Sequence, residues 1–366
     1  MKNFKYIFLI LSIIGVFLSC SDDQVGFVPM SVTKVSTVLD REQEIQQAEL
    51  AQYIIVQGEG LSAVSSILVN DISVNMDEVY IKDNELTFPI PRVIPSEVNN
   101  LITLLSPQGT ITVPLTVHIP KLVVNGMFNE FTPAGEIMKI VGDFFDLYEI
   151  NTESGKLFWG DQEMQIIRAL QDTLYFKLPD DAKPGTKIKI ISPIAGEITV
   201  PGKYRETGNM LCDYDPFSGW GGGQYVSNGP EPAPITGQYS HFKLSASDAA
   251  DDEWSATVAI IQKGVEYWDD IKQNPDNYVL KFEVNTLIPL TKRKINFFFQ
   301  QLSYSWEPFI KGLPFDTKKE WCTISINLSD VWKGEVPAGS DFQVMGNSYA
   351  ENTDICFDNF RIVPKD

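Results

Sequence analysis

The 366-residue chain carries 48 acidic and 29 basic side chains, and its net charge of −19 disfavours nucleic acid and anionic lipid surfaces as partners because like charges repel. A neutral polymer such as a polysaccharide stays compatible with this charge. With 43% hydrophobic residues the chain can bury several separate cores, and its length predicts two or three domains.

The N-terminal segment predicts an exported protein. Lys2 and Lys5 precede an apolar run that is too short to remain as a membrane-spanning helix. Leu18-Ser19-Cys20 resembles a lipobox, which implies a signal peptide over residues 1–19 and a lipid on Cys20; an ordinary secretory signal with a chance cysteine is the alternative. In the tether, residues 20–28, Ser21-Asp22-Asp23 resembles the surface-export tag of lipoproteins from glycan-foraging Gram-negative bacteria, although acidic tether residues can also be merely solvated.

Short strand signals broken by Gly, Pro and Asn-Asp clusters follow, and they predict an all-β fold. Ile111-Thr-Val-Pro114 recurs 87 residues later as Ile198-Thr-Val-Pro201. A repeat this long exceeds the roughly 20–50 residues of a solenoid unit, so each copy is expected to be a sandwich with its own core. Ile54-Ile-Val-Gln-Gly-Glu-Gly60 followed by Leu86-Thr-Phe-Pro-Ile-Pro91 resembles the IPT/TIG family of immunoglobulin-like domains. The resemblance implies two tandem spacer domains, at residues 29–118 and 119–201.

Residues 202–366 form the predicted C-terminal domain, which contains six of the seven tryptophans. Strand-like runs such as residues 278–284 and 355–362 predict a jelly-roll-like β-sandwich. The order of lipidated cysteine, acidic tag, IPT/TIG-like spacers and aromatic-rich sandwich resembles the B-type surface glycan-binding lipoproteins of polysaccharide-utilisation systems. That resemblance implies a lipid anchor in the outer membrane at the cell surface, a glycan held by the C-terminal domain, and an outer-membrane glycan transporter complex as partner.

Aromatic side chains are the candidate glycan platforms, because a flat, rigid ring buries the C–H faces of a sugar at low entropic cost. In INFFFQQLSYSWEPF, residues 295–309, regular alternation places Phe297 and Phe299 on one face and Tyr304 and Trp306 on the other. We expect the segment to leave the sheet near Gln300 and end in a loop, where Trp306 and, more weakly, Tyr304 form a sugar platform. A hydrophobic cluster that seals the end of the sandwich is the alternative.

Two further segments carry candidate platforms. Tyr267 and Trp268 lie beside carboxylates that could accept hydrogen bonds from sugar hydroxyls; a capping cluster is the alternative. Trp220 belongs to a glycine-rich stretch whose backbone could approach a partner closely, or it is a packed loop anchor. Core packing is the expectation for the remaining tryptophans of this domain, Trp254, Trp321 and Trp332.

No cofactor is predicted, although Asp213, Asp215 and Asp358 could supply oxygen ligands to a structural calcium ion. The chain has two histidines and neither an H-E-x-x-H nor a G-x-S-x-G motif. We therefore predict a non-catalytic protein that binds a neutral glycan of β-glucan or xyloglucan type. The alternatives are a surface adhesin for protein or host glycoconjugates and, less favoured, a glycan-active enzyme.

Overall fold

The computed structural model describes residues 28–219, 221–246, 258–262, 267–339, 341–346 and 351–365, and most of their regular structure is β-strand. The chain forms two compact units, Met1–Pro120 and Lys121–Asp366. Among the described residues, no helix has the length and apolar character needed to cross a membrane. Cys20, the predicted lipidation site, lies outside the described residues.

The first unit contains one immunoglobulin-like sandwich. Its two larger sheets have the strand orders β1-β3-β7-β6 and β5-β4-β8-β9, and β2 pairs in parallel with β10. Between the sheets lies a core of mostly aliphatic side chains that also includes the buried ring of Phe88. The strands are β1 Ser31–Thr37, β2 Gln47–Glu49, β3 Tyr53–Glu59, β4 Ser66–Val69, β5 Ile72–Ser73, β6 Tyr80–Ile81, β7 Glu85–Pro89, β8 Leu101–Ser106, β9 Gly109–Pro114 and β10 Thr116–His118.

The second unit begins with a sandwich of the same design. Its sheets have the orders β11-β12-β16-β15 and β14-β13-β17-β18, and they enclose a separate core that includes Trp159 and Phe176. The strands are β11 Val123–Met127, β12 Ile137–Asp143, β13 Lys156–Trp159, β14 Gln162–Met164, β15 Ile166–Ala169, β16 Thr173–Lys177, β17 Ile188–Ser192 and β18 Gly196–Thr199.

The sequence repeat matches a repeat of topology. Leu86 and Leu174 lie in the equivalent strands β7 and β16, and both are fully buried. Ile111 and Ile198 lie in the equivalent edge strands β9 and β18. The predicted all-β fold with tandem immunoglobulin-like sandwiches is therefore confirmed, while the exact domain boundaries stay predictions.

The C-terminal sandwich completes the second unit. Its long sheet has the order β20-β21-β28-β23-β26, with β19 also paired to β28, and its short sheet has the order β22-β27-β24-β25. The strands are β19 Asn209–Cys212, β20 Val226–Ser227, β21 Tyr239–Leu244, β22 Val258–Gln262, β23 Tyr278–Thr286, β24 Ile295–Phe299, β25 Leu302–Trp306, β26 Cys322–Asn327, β27 Phe342–Gly346 and β28 Thr353–Pro364; two short helices are α1 Asp269–Gln273 and α2 Leu328–Trp332.

The core between the long and short sheets is rich in aromatic rings. Phe282 of the long sheet stacks on Phe360 at 4.9 Å between ring centroids and meets Phe297 of the short sheet edge-on at 5.1 Å. Offset and edge-to-face ring pairs of this kind add to the free energy gained by burying the rings. The two sheets are thus held together by ring contacts between their inner faces.

Candidate functional site

The aromatic run at residues 295–309 is a β-hairpin. After β24 the chain turns at Gln300-Gln301 and returns as β25, so that Phe297 lies opposite Tyr304 and Ile295 opposite Trp306. Residues directly opposite each other in an antiparallel pair point to the same side of the sheet. The turn therefore places Tyr304 and Trp306 on the core face, together with Phe297. The segment was expected to leave the sheet near Gln300 and enter a loop, with Tyr304 and Trp306 on the face opposite Phe297. Both expectations are wrong, because a two-residue turn reverses the chain.

Trp306 is consequently a core residue. Its side chain is buried, and its ring meets Phe282 and Phe315 edge-on, each at 5.3 Å between centroids. It therefore lacks the exposed face that a sugar platform requires, which corrects the expectation for this residue. Tyr304 is half-buried and stacks on Phe297 at 6.4 Å, and burial raises the pKa of its hydroxyl.

Tyr267 and Trp268 are neighbours in sequence but differ in environment. Tyr267 is buried against Phe299 and Trp332, so the prediction of an exposed platform is wrong for this residue. Trp268 precedes α1 and keeps 46% of its surface exposed. A platform at Trp268 stays a prediction. Trp220 and Trp254 lie outside the described residues.

The other two tryptophans of the domain, Trp332 and Trp321, differ in burial. Trp332 is fully buried in the core, as expected. Trp321 is only half-buried and lies beside the long sheet, where its Nε1 donates a hydrogen bond to the carbonyl oxygen of Ala233 at 2.8 Å. Core packing was therefore the wrong expectation for Trp321.

The outer face of the long sheet is covered at β23. On β23 the outward side chains of Val279, Lys281, Glu283 and Asn285 are all buried. Glu130, from the sandwich that precedes the C-terminal domain, reaches this face and accepts hydrogen bonds from Lys281 Nζ at 2.5 Å and from Arg361 Nη2 at 2.7 Å. This face is therefore closed to a polysaccharide around Glu130.

Arg361 also binds Glu283, through Nη1 at 2.9 Å and Nη2 at 3.1 Å. Thr323 joins the same network, since its hydroxyl accepts from the backbone N–H of Glu130 at 2.8 Å and donates to Glu283 at 2.9 Å. Lys281, Glu283, Arg361 and Glu130 form what we call the buried ion cluster. Each charge in it has at least one oppositely charged partner, which is the condition under which buried charges are tolerated.

The outer face of the short sheet, in contrast, is accessible. Ser303 and Ser305 are exposed, and Phe298 is half-buried. The side chains on this face, which we call the open sheet face, come from three adjacent strands: Asn296, Phe298, Ser303, Ser305, Gln343 and Met345. A face that mixes an aromatic ring with hydroxyl and amide groups matches a sugar chain, which presents C–H faces and hydroxyls together.

A hydrogen bond and an ion pair hold side chains of the open sheet face and its neighbourhood in place. Asn296 is buried and hydrogen bonds with the Ser305 hydroxyl opposite it, and one step along the hairpin Lys294 pairs with Glu307 at 3.2 Å. The sequence analysis did not identify this surface. The sequence does carry a signal for it. Asn296 and Phe298 are two positions apart, as are Ser303 and Ser305, and once the hairpin turn is recognised all four fall on the same face.

The three aspartates considered for calcium are not arranged as a metal site. Asp213 accepts a hydrogen bond from the backbone N–H of Asp215 at 3.1 Å, and Asp215 accepts one from the backbone N–H of Gln238. Asp358 is completely buried, and burial, followed by the nearby charge of Glu283, raises its pKa well above the ordinary value. In the described part of the chain, no cluster of three or more His, Cys, Asp or Glu side chains is placed to hold a metal ion.

Comparison with known proteins follows the same division of the chain. Residues 204–364 match the family model described as the surface glycan-binding protein B xyloglucan-binding domain. The C-terminal domain is therefore similar to this family. The predicted resemblance to surface glycan-binding proteins of type B is thereby confirmed for the domain expected to bind glycan.

Two solved structures of surface glycan-binding protein B are similar to this chain, and the first of them shares its fold. One from Prevotella bryantii is 19% identical, with a TM-score of 0.53, covering 92% of this chain and 99% of that protein. Another, from a complex xyloglucan utilisation locus in Bacteroides uniformis, is 17% identical, with a TM-score of 0.49, covering 92% of this chain and 100% of that protein. Comparison with curated proteins gives no significant match.

Proposed function

We propose that this chain is a non-catalytic, cell-surface lipoprotein that captures xyloglucan or a closely related β-glucan. The observation that carries the proposal is the match of residues 204–364 to a xyloglucan-binding domain. The net charge of −19 agrees with a neutral polysaccharide as ligand, since an anionic one would be repelled.

The open sheet face is the proposed binding surface. It is an accessible sheet surface of the C-terminal sandwich, whereas the long sheet is covered around Glu130. On it, Phe298 offers a ring for stacking, and Ser303 and Gln343 offer hydrogen-bonding groups on either side of that ring. Trp268, exposed before α1, is a second proposed platform.

The proposed cellular role uses the rest of the chain. Lipidation at Cys20 would tether the protein to the outer membrane, and the immunoglobulin-like sandwiches would act as spacers that hold the binding domain away from it. An outer-membrane glycan transporter complex is the proposed partner that receives the captured chain. Retention of glycan without cleavage suits this role, because a receptor must release its ligand intact.

A binding experiment with the chain starting at Ser21 tests the function. Isothermal titration calorimetry against xyloglucan, mixed-linkage β-glucan and a mannan should give heat of binding with xyloglucan, and an assay for reducing ends should find no sugar released. Phe298→Ala should weaken xyloglucan binding by about 1–2 kcal/mol because a stacking surface is lost.

Tyr80→Ala is the matched control, since Tyr80 is an aromatic residue of the first unit with 60% of its surface exposed. It should leave the affinity unchanged. Absence of binding to every glycan would overturn the proposed function, and release of reducing ends would show an enzyme instead. Equal affinities of the Phe298→Ala variant and the wild type would remove the open sheet face from the proposal.

A further inference from the structure

A cleft lies where the second immunoglobulin-like sandwich meets the C-terminal sandwich, within the unit Lys121–Asp366. Its volume is about 370 Å³, and its walls include Phe128 and Pro133 from one side and Asn285, Lys319 and Trp321 from the other. Ligand pockets in proteins begin at about 300 Å³, so this cleft can hold a short ligand segment. It is separate from the open sheet face, because Asn285 lies in β23 of the opposite, long sheet and Trp321 directly precedes β26 of that sheet.

We propose that this cleft is a second carbohydrate subsite, which binds a short neutral segment of the polysaccharide that the open sheet face captures. The inference rests on the proposed function and adds a second point of contact to it. Three features of the cleft support it: a fixed aromatic ring, an unpaired buried acceptor and a balanced charge.

The aromatic ring belongs to Trp321. Its Nε1–H is bonded to the carbonyl oxygen of Ala233 at 2.8 Å, and Tyr239 meets its ring edge-on at 5.5 Å between centroids. These contacts fix the orientation of the indole while leaving it partly exposed in the wall of the cleft. A ring that is already held in place loses little entropy when a sugar stacks on it.

The acceptor is the side-chain oxygen of Asn285. This residue is 1% exposed, and its Nδ2 donates a hydrogen bond to the carbonyl oxygen of Lys319 at 3.0 Å, which sets the orientation of the amide. Its Oδ1 has no hydrogen-bond partner among the residues that the structure describes. Buried polar atoms are nearly always paired, so this unpaired acceptor, in a residue that lines the cleft, would gain a partner if a ligand hydroxyl reached it. A sugar hydroxyl is such a donor.

The segment that carries Trp321 is held in an unusual conformation. Lys318 and Lys319 both have positive φ, 57° and 63°, which ordinary side chains rarely adopt. Reciprocal hydrogen bonds between Thr286 and Thr317, at 2.9 Å and 2.8 Å from backbone N–H to hydroxyl, anchor the segment to β23. The walls of the cleft are thereby pre-organised before any ligand arrives.

The charges around the cleft indicate a neutral occupant. Lys139 pairs with Glu320, and its Nζ also lies 5.0 Å from the ring centroid of Phe128. The remaining charged walls, Lys319 and Glu136, have opposite signs. A charged segment, anionic or cationic, would therefore be attracted by one of these side chains and repelled by the other, whereas a neutral sugar is not repelled by either.

The test uses the chain starting at Ser21 and two ligands, a short xyloglucan oligosaccharide and polymeric xyloglucan. Calorimetry should show two molar equivalents of the oligosaccharide on the wild type and one on Trp321→Ala. Loss of the second contact should weaken polymer binding by about tenfold, because two linked contacts act as one avid site.

A nuclear magnetic resonance measurement makes the test independent of how well Trp321→Ala folds. Comparison of the wild type with Trp321→Phe assigns the indole N–H signal of Trp321, and saturating oligosaccharide should shift this signal. One molar equivalent on the wild type, or an unshifted signal, would overturn the subsite while leaving the proposed function intact. Absence of any glycan binding would overturn both proposals.

Discussion

The outer faces of the two sheets in the C-terminal sandwich differ in charge and in exposure. On the long sheet the outward positions of β23 carry Lys281, Glu283 and Asn285, and all three are buried. On the short sheet the outward positions carry Phe298, Ser303 and Ser305, which are half-buried or exposed. The more charged face is thus the hidden one. A charged strand face indicates solvent only when no other domain supplies the opposite charge, as Glu130 does here.

The largest expected effect comes from removing Glu130. Glu130→Ala should lower the free energy of unfolding by about 3–5 kcal/mol, because Lys281 loses its carboxylate partner and Arg361 keeps only Glu283. Urea denaturation followed by tryptophan fluorescence measures the change. The variant would leave the charge of Lys281 buried without a partner on the covered face, which destabilises the second unit.

Glu197→Ala is the control for Glu130→Ala. Glu197 pairs with Lys189 at 3.0 Å, but both side chains are exposed, so the expected loss is below about 1 kcal/mol. If the two variants lost the same small amount, the buried ion cluster would not stabilise the contact between the sandwiches, and the difference between the two outer faces would have another cause.

Trp306→Ala should cost nearly as much, about 3–4 kcal/mol, since it leaves a large cavity among Phe282, Phe315 and Phe357. Thermal unfolding and glycan calorimetry are the measurements. Trp268→Ala is the matched control, because Trp268 is 46% exposed and its loss should leave stability within about 0.5 kcal/mol. A Trp306→Ala variant with full stability but weakened glycan affinity would restore Trp306 as a surface platform.

Much of the fold could be predicted from the sequence, because it depends on local patterns. The recurrence of Ile111-Thr-Val-Pro114 at Ile198 reflects two sandwiches with the same strand order. Alternation correctly placed Phe297 and Phe299 on one face of a strand, and both are buried in the core. These inferences needed only the period of a strand and the spacing of a repeat.

The site was harder to predict, because it depends on where the chain reverses and on what covers a face. Gln300-Gln301 is not a typical turn sequence, yet it reverses the chain and moves Tyr304 and Trp306 to the core side. Nothing local to β23 indicates that Glu130, 151 positions before Lys281, pairs with it. Alternation gives the two faces of a strand but not which of them meets solvent.

The smallest expected effect comes from replacing Asp358, whose burial on the covered face is unfavourable for its charge. Its Oδ1 accepts a hydrogen bond from the backbone N–H of Asn359 at 2.8 Å, whereas Oδ2 has no partner among the described residues. Glu283 lies directly opposite on β23, so two buried carboxyl groups are cross-strand neighbours. Asp358→Asn removes the charge while keeping the acceptor, and it should raise the free energy of unfolding at neutral pH by about 1–3 kcal/mol.

The pH dependence of that gain gives the sharper test. Burial raises the pKa of Asp358 in the folded protein, so its contribution to stability is present below its unfolded pKa, near about 4, and is lost as pH rises through the folded value. The advantage of Asp358→Asn should therefore be largest at neutral pH and disappear toward pH of about 4. Asp181→Asn, at an exposed carboxylate, should track the wild type throughout. A gain independent of pH would mean that Asp358 ionises with the same pKa in the folded and the unfolded protein, and that burial on the covered face does not disfavour its charge.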